Sequence, residues 1–314
     1  MHLLGQRRRL RNRIADDDRK ILWINLTAPS LGDALMDTSG RVLLKGREVH
    51  LLTHPKNAEL FAGDEIFSRV FTLPEEAREE HQRRHYDLVL VDSFSPRSLR
   101  PKIQVDSTLP FVGLYGFLNG FDIHRTFFSY GRLRQLLQQS ESLGRRLSIG
   151  LAKNVTRAQG PPKAPIRIAV GLGGEWAYRT YEHWGEVVRT LPGDWHIILL
   201  GSENGRQVSI EVQRLSHRET LRNLVGLTGL EETCRVLREA DLYLGADGGL
   251  WHLACACGTP SVALFAKGVS RLRVPDSANC SAIESGGQSV SEISPSVVIS
   301  AVKVRLTCPS QSAS

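Results

Sequence analysis

The chain has 314 residues, 41% of them hydrophobic and 23% charged, which is material for ordinary buried cores and length for two domains of about 150 residues each. Its start has no apolar core of signal-peptide length, and no later stretch reaches the ~18 apolar residues of a membrane span, so neither export by that route nor integral membrane insertion is expected. The net charge of +7 points to an anionic partner, whether nucleic acid, a membrane surface or a phosphorylated substrate.

In chain order, residues 1–19 form a basic arm, with "RRRLRNR" (7–13) and then "DDD" (16–18), read as solvated and flexible. From Lys20, short apolar runs alternate with segments of helical length. The runs "ILWINL" (21–26), "EVHLLTH" (48–54), "RVFTL" (69–73), "DLVLVD" (87–92) and "PFVGLY" (110–115) read as buried strands. Between the first two lies "LGDALMDTSGRVLLKG" (31–46), read as helix. A Gly-rich loop and an amphipathic helix follow over 116–137, carrying Arg125, Arg132 and Arg134. The first domain spans 20–150, and 151–165, rich in Gly, Pro and basic residues, reads as a linker.

A second series over 166–306 repeats the alternation. Its strands are read at 166–172, 195–201, 223–227, 241–246 and 260–266, and its helices near 181–191, 205–216, 230–240 and 249–258. Strand and helix in alternation predict an α/β fold of two Rossmann-like domains, each with a parallel sheet, facing one cleft. Residues 307–314 read as a disordered tail. The five cysteines, Cys234, Cys255, Cys257, Cys280 and Cys308, have no disulfide-framework or paired metal-site spacing and read as packing residues in a reducing cytosol.

The stretch "LGADGGLWHLACACGTPSVALFA" (244–266) is the richest in chemistry. Asp247 and Gly248 fall at the carboxyl end of a strand and open a helix, the place where open α/β sheets bind ligands. Gly248 and Gly249 leave backbone N–H groups bare for a phosphate, Asp247 is placed to cap the helix, and His252 lies near its first turn. A second reading stays open from the residues alone: a capped turn, a packing helix and a buried histidine.

"ADGGLWHLACACGTPSVALFA" resembles the D-[ST]-G-x-x-H-x-A-x-A-x-G-x-P-x-x-x-L-[FY] segment of the bacterial heptosyltransferases. "LTAPSLGDAL" (26–35) is similar to that family's S-L-G-D loop, and "YRTYEHWGEVV" (178–188) and "LLGSENGRQ" (199–207) follow its order. The resemblance implies the two-domain GT-B architecture and inverting transfer of heptose from ADP-heptose to a lipopolysaccharide inner-core acceptor of the Kdo-lipid A type. It assigns Asp33 as the base that deprotonates the acceptor hydroxyl, and Asp247, Gly248, Gly249, His252 and Arg179 to the diphosphate and sugar. Glu203 would meet the ribose, with an exposed loop glutamate the other reading, and Thr228 the adenine region, with a helix N-cap the other reading. Asp122, His124 and Arg125 would line the acceptor side, with a loop and packing helix the other reading of their segment.

No metal and no cofactor are expected, because side chains and N–H groups suffice for the leaving diphosphate. The expected partners are a nucleotide-sugar donor and an anionic glycolipid. The location expected is cytoplasmic, with peripheral association at the inner membrane helped by the basic arm. Nucleic acid is not expected, for no recognised module is present. The chain departs from the family pattern in three places. Gly248 replaces Ser or Thr; no lysine precedes a Trp-Pro pair near residue 178; and "KGVSRLRVPD" follows "ALFA", with Lys267 read as a surface lysine. A relative using another nucleotide-sugar or acceptor, or a non-catalytic binding protein, is the alternative.

Overall fold

The computed structural model describes residues 4–117, 123–140, 164–275 and 279–307. The chain divides into two units, Met1–Leu151 and Ala152–Ser314.

In the first unit the order is β1 (Lys20–Asn25), α1 (Leu31–Asp37), β2 (Glu48–Thr53), α2 (Pro55–Ala58), β3 (Phe67–Phe71), α3 (Pro74–Arg83), β4 (Leu88–Val91), α4 (Pro96–Val105), β5 (Phe111–Gly113) and α5 (Arg125–Leu136). All five strands are parallel, in the order β3-β2-β1-β4-β5. Every residue of β1 and β4 is buried, as strands covered on both faces must be. Each Val, Leu or Ile so buried contributes about 1.5–3 kcal/mol. This is why the strands show as unbroken apolar runs. Helix α1 stops after two turns at Thr38 and gives way to a 3-10 segment at Ser39–Leu44, so the helix expected over 31–46 is two pieces.

Residues 4–19 are solvated, with most side chains exposed, but they are tied down at several points. A 3-10 turn at Gln6–Arg9 buries Gln6, whose Oε1 accepts a 2.7 Å hydrogen bond from Lys102 Nζ. Leu10 bridges Phe111, the Arg11 N–H donates to the Phe111 carbonyl at 2.8 Å, and Ile14 is buried with its N–H on the Leu136 carbonyl. Buried Gln6, Ile14 and Asp18 anchor a segment whose arginines stay in solvent. The arm belongs to the first unit.

The second unit runs β6 (Arg167–Gly171), α6 (Trp184–Thr190), β7 (His196–Leu200), α7 (Arg206–Ser216), β8 (Leu221–Asn223), α8 (Leu230–Glu239), β9 (Leu242–Ala246), α9 (Gly249–Ala256), β10 (Ser261–Phe265), β11 (Cys280–Glu284) and α10 (Pro295–Thr307). Its six parallel strands are ordered β11-β10-β9-β6-β7-β8, a doubly wound sheet whose order reverses between β6 and β9. The strand expected at 223–227 lies earlier, at β8, because Leu224 and Val225 are buried as turn residues after it. Strand β11 and helix α10 were not anticipated. Residues 151–163 of the expected linker and 308–314 of the expected tail lie outside the described residues.

Gly171 and Gly245 pair across β6 and β9, and the hydroxyl of buried Tyr243 occupies the space a Cβ would take at either position. Gly245→Ala therefore overpacks the core and lowers stability by about 1–3 kcal/mol. A thermal melt of the variant checks this; an unchanged melting temperature would refute it.

Candidate active site

In the first unit the sheet order reverses between β1 and β4, and the residues just past those strands build a charged group. Asp92, past β4, is fully buried. It accepts from the Thr27 N–H at 2.7 Å, the Thr27 hydroxyl at 2.6 Å, the Ser93 N–H at 2.7 Å and the Ser98 hydroxyl. Burial lifts its carboxyl above the ordinary range, and these donors pull it back. The result is a fixed loop after β1.

That loop delivers the chain into α1, where the Ser30 hydroxyl caps the helix by accepting from the Asp33 N–H at 3.2 Å. Asp33 thus stands in the first turn, with its side chain 35% exposed. Its Oδ1 meets Arg125 Nη1 at 3.0 Å. Arg125 is held in turn by Asp37, one helical turn on from Asp33: Nη2 donates to Asp37 Oδ2 at 2.9 Å and Nε to Oδ1. Tyr115 donates its hydroxyl to Asp37 Oδ1 at 2.7 Å and lays its ring 5.5 Å from the guanidinium carbon.

Asp37 is completely buried. Burial raises its carboxyl above the usual carboxylate range, and Arg125 and Tyr115 oppose that rise. For Arg125, burial works to lower the pKa, but the Asp37 carboxylate outweighs it and the net direction is upward. The guanidinium is therefore a permanent cation with two nitrogens occupied by Asp37 and one turned to Asp33. A carboxylate so held is oriented for accepting a hydroxyl proton. Asp37 and Tyr115 were not anticipated. The spacing of Asp33 and Asp37, four apart on a short helix with no basic residue of its own, was the trace they left in the sequence.

Of the residues expected on the acceptor side, Arg125 joins Asp33 as described. His124 precedes α5 and stacks on Phe127 with ring centroids 3.7 Å apart. Asp122 lies outside the described residues.

In the second unit Asp247, Gly248, Gly249, His252 and Arg179 come together at the carboxyl ends of β6 and β9. Asp247 is not the helix cap: Gly248 is the N-cap of α9 and supplies no side-chain oxygen. The Asp247 carboxylate turns instead to Arg179 Nη2 at 3.4 Å and His252 Nε2 at 3.7 Å. Asp247 and His252 are each 4% exposed. The first-turn N–H groups of α9 have no intrahelical acceptor, which leaves them open to an anion. Arg179 ends a 3-10 turn after β6 and packs its backbone on Gly174, where a Cβ would meet it at 3.2 Å.

Glu203 and Thr228 form a second group past β7 and β8. The Glu203 carboxylate lies against Gly226, and Gly226 has φ 73°, a left-handed backbone that favours glycine there. Glu203 is exposed and pairs with Arg206, whose Nη2 donates to Oε2 at 3.0 Å. Thr228 is not the cap of α8, for that position is Gly229; its hydroxyl pairs with Thr233 at 2.9 Å.

Among the described residues one acidic and histidine cluster is tight enough for a metal: Glu48, His50 and Glu80, with ligand atoms within 4.8 Å of one another. It lies at the amino ends of the first unit's strands, away from Asp33. Lys20 Nζ sits 2.7 Å from Glu80 and 3.4 Å from Glu48, and Arg69 and Arg84 complete the pairing. The Lys20 hydrogen bond holds Glu80 below the usual carboxylate range. This is an ion-pair knot whose cation is already present.

Comparison with known proteins matches residues 167–288 to the family described as "Glycosyltransferase family 9 (heptosyltransferase)". No curated protein sequence matches the chain. Among solved structures, the glycosyl transferase family 9 protein of Veillonella parvula superposes with a TM-score of 0.79 at 17% identity, over 95% of this chain and 99% of that one. E. coli ADP-heptose lps heptosyltransferase II gives 0.70 at 17% identity, over 92% and 99%. E. coli heptosyltransferase WaaC with ADP gives 0.68 at 18% identity, over 90% and 99%. These similarities establish the GT-B type of fold.

Proposed function

We propose that this chain, a glycosyltransferase of family 9 through its residues 167–288, transfers a heptosyl group from ADP-heptose to an anionic lipopolysaccharide inner-core acceptor, with inversion at the anomeric carbon. The observation that carries the reading is the pair of residue groups at the sheet reversals: Asp33 oriented by Arg125, and Asp247, Arg179 and His252 beside the amino end of α9. The Asp33 carboxylate accepts the acceptor hydroxyl proton as that oxygen bonds to the anomeric carbon. The bond from that carbon to the distal phosphate oxygen breaks with its electron pair on the diphosphate. Glycosylated acceptor, ADP and protonated Asp33 result.

The α9 N–H groups and the basic side chains stabilise the departing diphosphate without requiring a metal. Glu203 and Thr228 take the ribose and base. ADP is the first nucleotide to test, since two similar structures are described with ADP and with ADP-2-deoxy-2-fluoro heptose. No helix among the described residues is long and apolar enough to cross a membrane. The protein meets its glycolipid acceptor by peripheral association at the cytoplasmic face of the inner membrane.

The test is calorimetric binding of ADP, UDP, GDP, CMP and NAD to the full chain, in chelator and again with magnesium. ADP binds selectively and equally in both, and His252→Ala weakens it about tenfold. Preference for another nucleotide would change the donor sugar nucleotide. A metal requirement would overturn the metal-free reading, and no binding at all would leave a non-catalytic relative.

A further inference from the structure

At the carboxyl ends of β6, β9 and β10 two cations share one aromatic ring, and only one of them has an anionic partner among the described residues. Arg179 and Asp247 are 3.4 Å apart and compensate each other. Lys267, three residues past Leu264, has no carboxylate within ion-pair distance among the described residues. Its ammonium sits 3.8 Å from the ring centroid of Tyr178, and the same ring has the Arg179 guanidinium 5.3 Å away. Tyr178 is thus a ledge between two cations, only one of which is balanced. The negative face of the ring holds an ammonium without neutralising its charge.

The backbone supports the placement. Lys267 has φ 64° and Gly268 φ 63°, two left-handed residues in succession, with the Lys267 N–H on the Gly287 carbonyl at 3.2 Å. A residue with a Cβ is disfavoured there. The adjoining strand end is close: the Asp247 N–H bonds the Leu264 carbonyl at 2.9 Å, so the turn that carries Lys267 and the start of α9 issue from paired strands. Lys267 is exposed, so its ammonium is open to a ligand while seated on an aromatic ring beside Arg179.

We propose that Lys267 is the cation that binds the diphosphate of the nucleotide-sugar, with Tyr178 as its seat, while Arg179 serves to fix Asp247. The ligand class is a nucleoside diphosphate, and the inference rests on the functional reading above. Lys267 is an exposed lysine, as read from the sequence, and gains a ligand at that position.

The experiment measures ADP affinity of the full chain at low and moderate salt for the parent, Lys267→Asn and Lys267→Arg. Asparagine tolerates the left-handed backbone, so the first variant removes charge without adding strain; melting temperatures of the unliganded proteins verify folding. Lys267→Asn weakens ADP about tenfold or more and flattens the salt dependence, whereas Lys267→Arg stays within about threefold of the parent. Unchanged affinity in Lys267→Asn, or equal loss in both variants, overturns the assignment of Lys267 and leaves the functional reading standing. A parent that binds no nucleoside diphosphate overturns both.

Discussion

Asp33→Asn lowers transfer turnover by about a thousandfold and leaves ADP affinity within about twofold of the parent. The amide has the carboxylate's shape, and its oxygen still accepts from Arg125 Nη1, now 3.0 Å from Asp33 Oδ1, so the group keeps its geometry. What is lost is the site for the proton. On the proposed function ADP is held by residues of the other unit, so its affinity is the control that the nucleotide site is intact. Single-turnover ADP release with a lipopolysaccharide inner-core acceptor is the measurement. Turnover above a third of the parent value would remove Asp33 from the role of base.

Arg125→Met destabilises the first unit by about 3 kcal/mol, because it strips a fully buried carboxylate, Asp37, of its counter-charge. At roughly 2–4 °C per kcal/mol, the melting transition of that unit falls by about 10 °C. The pH dependence has a definite sign. Asp37 already titrates above the usual carboxylate range through burial, and loss of Arg125 raises it further. The folded variant then holds a proton that the unfolded chain releases, so its stability increases as pH falls toward the unfolded carboxylate value of ~3.9. The deficit against the parent is larger at pH 7 than at pH 5. The double variant Arg125→Met with Asp37→Asn recovers much of the loss, since no buried charge remains unpaired. A double variant less stable than Arg125→Met would show that packing, not charge, holds this helix.

Strands β1, β4, β6, β9 and β10 were legible because both faces of each are covered, leaving unbroken runs of Leu, Ile, Val and aromatic residues. Strand β11 is not: its residues Cys280–Glu284 are half-buried or exposed, and "CSAIE" carries no such run. The segment around Asp247 was legible in composition and misread in detail. Spacing identifies an acid before two glycines, but whether its carboxylate caps the helix or turns to Arg179, far back in the chain, is decided by a strand pairing that spacing does not encode. Asp33 was found through a motif. Asp37, four residues on, carries no such motif, and its partners Tyr115 and Arg125 arrive from distant segments. Lys267 was read as a surface lysine and is exposed, but nothing local announces the Tyr178 ring beneath its ammonium.

The seating of residues 4–14 has a consequence for how copies of this protein meet. Strand β5 is only three residues long and ends its sheet, and a sheet end presents unpaired backbone groups that recruit other strands. The N-terminal segment occupies that border, with Leu10 bridged to Phe111 and the Arg11 N–H on the Phe111 carbonyl. Arg7, Arg8 and Arg9 stand exposed along it, like charges that repel a second copy approaching the same border. The segment thus places an exposed arginine run along a sheet border that a second strand could otherwise extend.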